Sequence, residues 1–390
     1  MGDDILILGA TRTAIGSFGG SLASVPPTVL GAHVARAALA RSGMEPVRVG
    51  HVVFGHVINT EPRDMYLSRV AAMEAGIPDS VPAMNVNRLC GSGAQAVVSA
   101  VQCLMLGDVD VVLAGGAEVM SRSPHILPVA RWGQKMGDAR ALDMMTGALT
   151  CPFGTGHMGV TAENVAAAHG IGRAEQDAFA LESQRRAGEA IAAGRFAEQI
   201  APFEIAGRKG PVVFAQDEHP KTTTADGLAA LKPAFQKDGT VTAGNASGIN
   251  DGAAAIVLAR SGAVPGANAL GRVMGYAHAG VDPKFMGLGP IPAVQALCAK
   301  LGIRPQDFDV VESNEAFAAQ ALAVSRALDL DPDRVNPNGG AIALGHPVGA
   351  TGAILVVKAL YELARTGGRT GLVTMCIGGG QGIALALERA

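Results

Sequence analysis

Short apolar runs alternate with longer segments of helical period along the whole chain. "DILILGA", "HVVFGHVI", "VDVVLAGG", "AAAIVLA", "DVVESNEA", "LVTMCIGG" and "GIALALE" read as buried strands, because each is a brief, nearly continuous run of apolar residues bounded by Gly, Asn or charge. Between them, "VLGAHVARAALARSG" and "AVQALCAKLG" read as helices closed by glycine, the residue that tolerates the left-handed turn at a helix end. Strand and helix in alternation predict an α/β fold.

The pattern also repeats. "GMEPVRVGHVVFGHV" (43–57) lines up with "GIRPQDFDVVESNEA" (302–316), and "CGSGAQAVVSAVQCLMLGDVDVVLAGG" (90–116) lines up with "HPVGATGAILVVKALYELARTGGRTGLVTMCIGGG" (346–380). Two similar halves follow, with Cys90 opposite His346 and Gly55 opposite Asn314. If the halves pack about a pseudo-twofold, equivalent loops meet at their junction. Residues 121–247 differ in texture, first Met-rich and irregular, then polar and turn-rich ("GRKGPVVFAQDEHPKTTTADG"), and read as an insertion that covers or lines a site. Its methionines suit either core filling or a binding surface. The expected division is an N-terminal half of 1–120 and 248–270, an insertion of 121–247 and a C-terminal half of 271–390.

Composition narrows the function. With 390 residues, 48% of them hydrophobic and only 17% charged, the chain can bury a large core of more than one unit. A net charge of −3 without a basic stripe speaks against nucleic acid as a partner. The start, "MGDDILILGA", lacks the pattern of a secretory signal, and no run approaches the 18 apolar residues of a membrane span. Cys90, Cys103, Cys151, Cys298 and Cys376 are scattered and odd in number, which points to a reducing cytoplasm rather than a disulfide framework.

Several residues could carry chemistry. Cys90, in "NVNRLCGSGAQA", stands before small residues and a helix-like run. It could be a packed thiol, a redox sensor, or a nucleophile whose thiolate is favoured by a helix N-terminus. The small residues after it would let a substrate approach the backbone. His346, in "GHPVGATG", is expected on the loop before a helix whose first turn holds Pro347; it is either structural or the base for Cys90. Cys376 ends a strand in "MCIGGGQG" and is either a core thiol or an acid/base group. Asn314, in "SNEAF", is either a helix cap or a holder of a water or an oxygen anion. His157 and Met158 precede a helix in the insertion, while His51, His56 and His169 are read as structural. "GSGAQA" fits the dinucleotide fingerprint, but the polar end of "NVNRLC" is not the hydrophobic strand such a motif follows. No metal-binding or phosphate-loop pattern is present.

Taken together, "NVNRLCGSG", "NEAF", "GHPVGATG" and "CIGGGQG" resemble the four active-site blocks of the thiolases, in the right order. "HMGVTAENVA" and "TAGNASGINDGAAA" resemble two further thiolase segments, and the match runs from "ATRTAIGSFGG" to the C-terminus. It is greatest to bacterial acetyl-CoA acetyltransferases, including broad-range β-ketothiolases of polyhydroxyalkanoate synthesis. The resemblance implies a five-layered αβαβα thiolase fold of two similar halves with an inserted loop domain. It implies acetyl-CoA, acyl-CoA and CoA as substrates, with no resident cofactor and no metal, and a homotetramer in the cytoplasm. By motif, Cys90 would be acylated, His346 would activate it, and Cys376 would move the α-proton. Asn314, through a water, and His346 would hold one thioester oxygen; the N–H groups of Cys90 and Gly378 would hold the other. Ser247 and His157 would lie near the pantetheine arm and Met158 near the acyl group. Lys221 stands where relatives carry an arginine and lacks its flat guanidinium, so stacking on adenine is in doubt. A decarboxylating ketosynthase would carry histidine or asparagine in place of Cys376.

Overall fold

The computed structural model describes residues 3–207 and 210–390; Met1, Gly2, Arg208 and Lys209, the last two within the polar part of the insertion, lie outside the described residues. Among the described residues five main strands build the first half, Ile5–Arg12 (β1), His51–Gly55 (β2), Ala83–Val86 (β3), Val111–Val119 (β4) and Asn250–Arg260 (β5), and the two-residue strand Gly16–Ser17 pairs with Asn250 and Asp251. They lie side by side in the order β3-β2-β4-β5-β1. Gly271–Gly280 (β6), Val310–Ser313 (β7), Thr370–Ile377 (β8) and Gln381–Arg389 (β9) form the second half in the order β7-β8-β9-β6. Val335 makes a lone parallel bridge to Val311, in the place that β3 takes beside β2. The halves therefore share one plan. Among the described residues their sheets touch where β1 meets β6, at Leu6–Arg272 and Ile7–Gly271.

The duplication read from the sequence is present, but its spacing is constant, which sets Gly349 and not His346 opposite Cys90. β2 and β7, the helices Ser92–Leu106 and Thr351–Thr366, and β4 and β8 are each separated by 259 residues (310 − 51, 351 − 92, 370 − 111). Those two helices pack on each other between the sheets, with Pro27–Ser42 outside the first sheet and Pro290–Leu301 outside the second. Helix, sheet, paired helices, sheet and helix make the five αβαβα layers.

Gly93, among the small residues after Cys90, serves this stacking. A Cβ on Gly93 would lie 2.7 Å from Ala353 N, and one on Gly352 would run into the Ala94 backbone, so the central helices cross in backbone contact. Gly55 is held likewise, with Gly349 O and Gly93 N both 2.6 Å from where its Cβ would be. Being an inner layer also explains the apolarity of the first central helix. The window Leu89–Leu106 has a mean hydropathy of 1.5 over a membrane-span length, contrary to the expectation that no run comes near it; with 56% of it buried inside the protein, it is a core helix.

Between β4 and β5 the chain leaves the sheet for helices Met144–Ala148, Met158–His169, Arg173–Ala192 and Ala225–Ala229 and three two-stranded ribbons. Backbone pairing ties the end of this excursion to the second half: Ala246 bridges Phe317, Ser247 N donates to Ala316 O at 3.0 Å, and Ala318 N donates to Asn245 O at 2.9 Å.

Candidate active site

Cys90 sits on a tight turn just ahead of its helix. Ser92 Oγ accepts from Arg88 N at 2.9 Å and donates to Leu89 O at 2.6 Å, and Leu89 takes a φ of +46°, a conformation costly for a branched side chain. The N–H groups of Gly91 and Ser92 are already taken by Arg88 O and Leu89 O. The expectation that free helix N–H groups favour the thiolate is thus corrected. Burial pushes the Cys90 thiol up, and only the Gly378 N–H and the N–H of Cys90 itself, both aimed at its sulfur, pull the other way. The two N–H groups meet at one sulfur, although 288 residues separate them (378 − 90).

His346 arrives from the other half. Its N–H donates to Asn250 Oδ1 at 2.9 Å, and Asn250 Nδ2 donates to Gly16 O at 2.9 Å. Gly345, at φ +104°, leaves no room for a Cβ against that amide. Pro347 does not occupy the first helical turn: the helix opens at Thr351, and Pro347 starts a turn whose carbonyl accepts from Ala350 N and Thr351 N. Gly349 of the same turn lies against Glu118, a buried carboxylate that accepts from Gly349 N, Val57 N and Ile58 N and stands 3.3 Å from His56 Nδ1. A Cβ on Gly349 would overlap that carboxylate. Gly349→Ala is therefore expected to cost about 1–3 kcal/mol by overpacking and to slow alkylation of Cys90 by displacing His346; melting and alkylation rates measured together check this.

The imidazole is enclosed, and desolvation lowers its pKa to about 4, so it is neutral at pH 7. Its Nε2, on a residue that lines the cavity beside Cys90, has no protein partner. A neutral thiol and a neutral imidazole lining one cavity have a clear pH signature. Since Cys90 is raised above its ordinary 9 and His346 is held low, alkylation of the free protein by iodoacetamide should keep rising through and beyond pH 9. A plateau reached by about pH 7 would mark a preformed thiolate–imidazolium pair instead.

Cys376 and Asn314 are buried and are not among the residues that line the cavity. Cys376 ends β8, fully buried, and its thiol is pushed far above the ordinary range, first by burial and then by ionisation of Cys90. Asn314 follows β7, donates its backbone N–H to Thr374 O at 3.0 Å, and keeps both side-chain amide atoms buried without a protein partner. Such atoms need a water or a ligand. It is not a helix cap, since the next helix begins at Ala318.

The remaining candidates share the 380 Å³ cavity with Cys90 and His346: His157, Met158, Lys221, Ser247 and Gly378. His157 caps the helix Met158–His169 by accepting from Gly159 N at 3.0 Å, and its ring stacks on Phe235 at 4.8 Å. Phe235 in turn meets Phe317 edge-on, so an aromatic chain joins the excursion to the "NEAF" segment. Met158 and Leu89 close on Gly378, where a Cβ would lie 2.9 and 3.0 Å from their ends. Lys221 stands where this cavity meets a larger hollow of 560 Å³ on the helix Arg173–Ala192, which contains none of the thiols. His219 lines the cavity as well and was missed in the sequence, although "DEHPK" contains it; burial and then Lys221 lower its pKa to about 4. Phe235, Asn250 and Glu118 were missed too; Asn250 lies inside the quoted "TAGNASGINDGAAA" segment, whereas no motif pointed to Phe235 or Glu118.

A thiol and an imidazole from the two halves of a duplicated α/β fold line one cavity together with Gly378, an arrangement suited to acyl transfer. Residues 5–262 match the model of the thiolase N-terminal domain and residues 267–389 that of the thiolase C-terminal domain. The chain belongs to the thiolase family. It is 58% identical to the β-ketothiolase BktB of Cupriavidus necator over 99% of both chains. With an acetyl-CoA acetyltransferase of Chromobacterium violaceum it shares 51% identity over 99% of this chain and 100% of the other. Among solved structures it superposes on the acetyl-CoA acetyltransferase of Bacillus anthracis with a TM-score of 0.97, at 45% identity and over 100% and 99% of the two chains. The CoA complex of human mitochondrial 3-ketoacyl-CoA thiolase gives 0.96 at 42% identity, over 100% and 98%.

Proposed function

We propose that this protein is a β-ketothiolase that passes acyl groups between CoA and carbon through Cys90, in a reversible Claisen condensation of acyl-CoA with acetyl-CoA. Nε2 of His346 takes the Cys90 proton as the sulfur attacks the thioester carbonyl, and Cys376 gives its proton to the departing CoA sulfur. This leaves acyl-Cys90, an imidazolium and a Cys376 thiolate. A second acetyl-CoA then loses an α-proton to Cys376. Its carbanion attacks acyl-Cys90, and the released sulfur recovers its proton from His346. Every proton is returned.

Physical chemistry supports these roles. Thiolate is both a good nucleophile and a good leaving group, which suits a parked acyl group. An α-proton of a thioester is very weakly acidic, so the base that takes it must be strong, and burial makes the Cys376 thiolate a strong base. The enolate also needs preorganised donors, each worth about 2.7–4 kcal/mol in a comparable oxyanion hole. The N–H groups of Cys90 and Gly378 suit one thioester oxygen; His346 and a water on the unpartnered Asn314 amide suit the other.

In this reading CoA is a substrate and there is no resident cofactor or metal. Ser247 and His157 flank its pantetheine arm, Met158 meets the acyl group, and Lys221 lies toward the adenine end. The excursion 121–247 acts as the loop domain between the halves 1–120 with 248–270 and 271–390. The reading extends to a homotetramer, which the nearly bare Trp132 and Met136 favour, working in the cytoplasm to supply polyhydroxybutyrate synthesis or fatty acid metabolism. What carries the proposal is the convergence of Cys90, His346 and Gly378 on one cavity, with Cys376 two residues before Gly378 and in one apolar cluster with the cavity-lining Met158. Purified protein given acetoacetyl-CoA and CoA should form acetyl-CoA, and no product would refute the reading. Rates with C4, C5 and C6 3-ketoacyl-CoA would fix the acyl range.

A further inference from the structure

His346 is neutral at pH 7, so its single ring proton sits on one of two nitrogens. Nδ1 lies 2.7 Å from Thr351 Oγ1, and Nε2 has no protein partner. The hydroxyl has one proton to give, and it also stands 2.9 Å from Pro347 O, the carbonyl four residues back. Threonine in the first turn of a helix commonly donates to that carbonyl. A hydroxyl that spends its proton there presents only lone pairs to the ring, and the one ring group that can meet a lone pair is an N–H. Were the hydroxyl to donate to Nδ1, the proton would sit on Nε2, where no protein acceptor exists and where it would block removal of the Cys90 proton.

We propose that Thr351 is a positioning residue that fixes His346 as the Nδ1–H tautomer and so leaves the Nε2 lone pair open toward Cys90. The proposal rests on the thiolase reading only for the purpose of the lone pair; the tautomer itself is a property of the free protein. Its setting is rigid on each side. Thr351 opens the central helix at the point where Gly352 meets the Ala94 backbone, and the backbone of His346 is pinned by Asn250. The side chains of His346 and Thr351 are both buried, so water does not compete for the contact. Neither the resemblance of the motif nor the cavity lining singles out Thr351, which is not among the lining residues.

The test reads the ring directly. In protein labelled with 15N-histidine, without substrate and at pH 7, the His346 signals are assigned by their loss in His346→Asn. They should show a protonated Nδ1 and a bare Nε2. Thr351→Val keeps the shape and removes the hydroxyl; it should shift the ring to a mixture or to Nε2–H and slow Cys90 alkylation by at least about tenfold, the ceiling being the roughly 10⁴-fold loss known for a catalytic histidine held in the wrong tautomer. Thr351→Ser should restore both signals and rate, which a purely packing role of the methyl group would not allow. If the valine variant does not fold, Thr351→Ala takes its place. An Nε2–H tautomer in the native protein would overturn the proposal, as would a folded variant without the hydroxyl that keeps Nδ1–H and alkylates within about twofold of native. A native Nδ1–H signal with no thiolysis of acetoacetyl-CoA would sink the functional reading and leave this one standing.

Discussion

Replacing Cys90 by alanine is expected to lower thiolysis of acetoacetyl-CoA by about 10⁴-fold or more, the scale set by removal of a covalent nucleophile. The fold gives this sulfur no understudy. Cys103 is only partly buried on the far part of the same central helix, and Cys298 is packed in the second half's outer core. Cys151 shares an apolar cluster with Met158 and Cys376 but lies off the cavity wall. No other thiol has two N–H groups brought to it from separate halves. Folding should be nearly unaffected, because the Cys90 turn is held by Ser92, Arg88 and Leu89 rather than by the thiol. A melting curve close to native beside a collapse in turnover is the expected pair. Activity within about tenfold of native would remove Cys90 from the chemistry.

Cys376→Ala should separate the two half-reactions. The variant keeps Cys90, His346 and the Gly378 N–H, so it should still be acylated by acetyl-CoA, though more slowly for want of a proton donor to the departing sulfur. Condensation should fall by about 10²–10⁴-fold, the usual contribution of a positioned acid/base group. The side chain is fully buried among Met158, Ala246 and Phe317, so loss of one sulfur leaves a small apolar gap that those residues can line. Rapid-quench measurement of acetyl incorporation against product formation distinguishes the halves. Loss of acylation and condensation in equal measure would mean that Cys376 shapes the pocket rather than moves the α-proton.

Much of the architecture was legible because burial writes continuous apolar runs. β1, β2, β4, β5, β7, β8 and β9 are enclosed and read directly as strands. β3 and β6 escaped for the opposite reason. Ala83–Val86 is a short edge strand with Met84 exposed, and Gly271–Gly280 mixes Arg272, Tyr276 and His278 into a half-buried face. The duplication was visible since both central helices must cross in backbone contact, which demands small residues at matching places in each half. The nucleophile, base and second thiol stood out because motifs bring rare residue types beside turns. What the sequence concealed was the support around them. Asn250 and Glu118 act across 96 residues to His346 and 231 to Gly349 (346 − 250, 349 − 118), through backbone groups that any residue would present. The thiol of Cys90 misled for a related reason: its helix N–H groups are consumed by a local turn that the string "LCGSG" does not announce.

Peptide mapping by mass spectrometry after brief exposure of the native protein to acetyl-CoA tests the central claim most directly. One acetyl group per chain, on the peptide containing Cys90 and lost on addition of CoA, is the predicted result. Acetylation of Cys376 or Cys151 in its place, or no CoA-reversible acetyl group at all, would contradict the account.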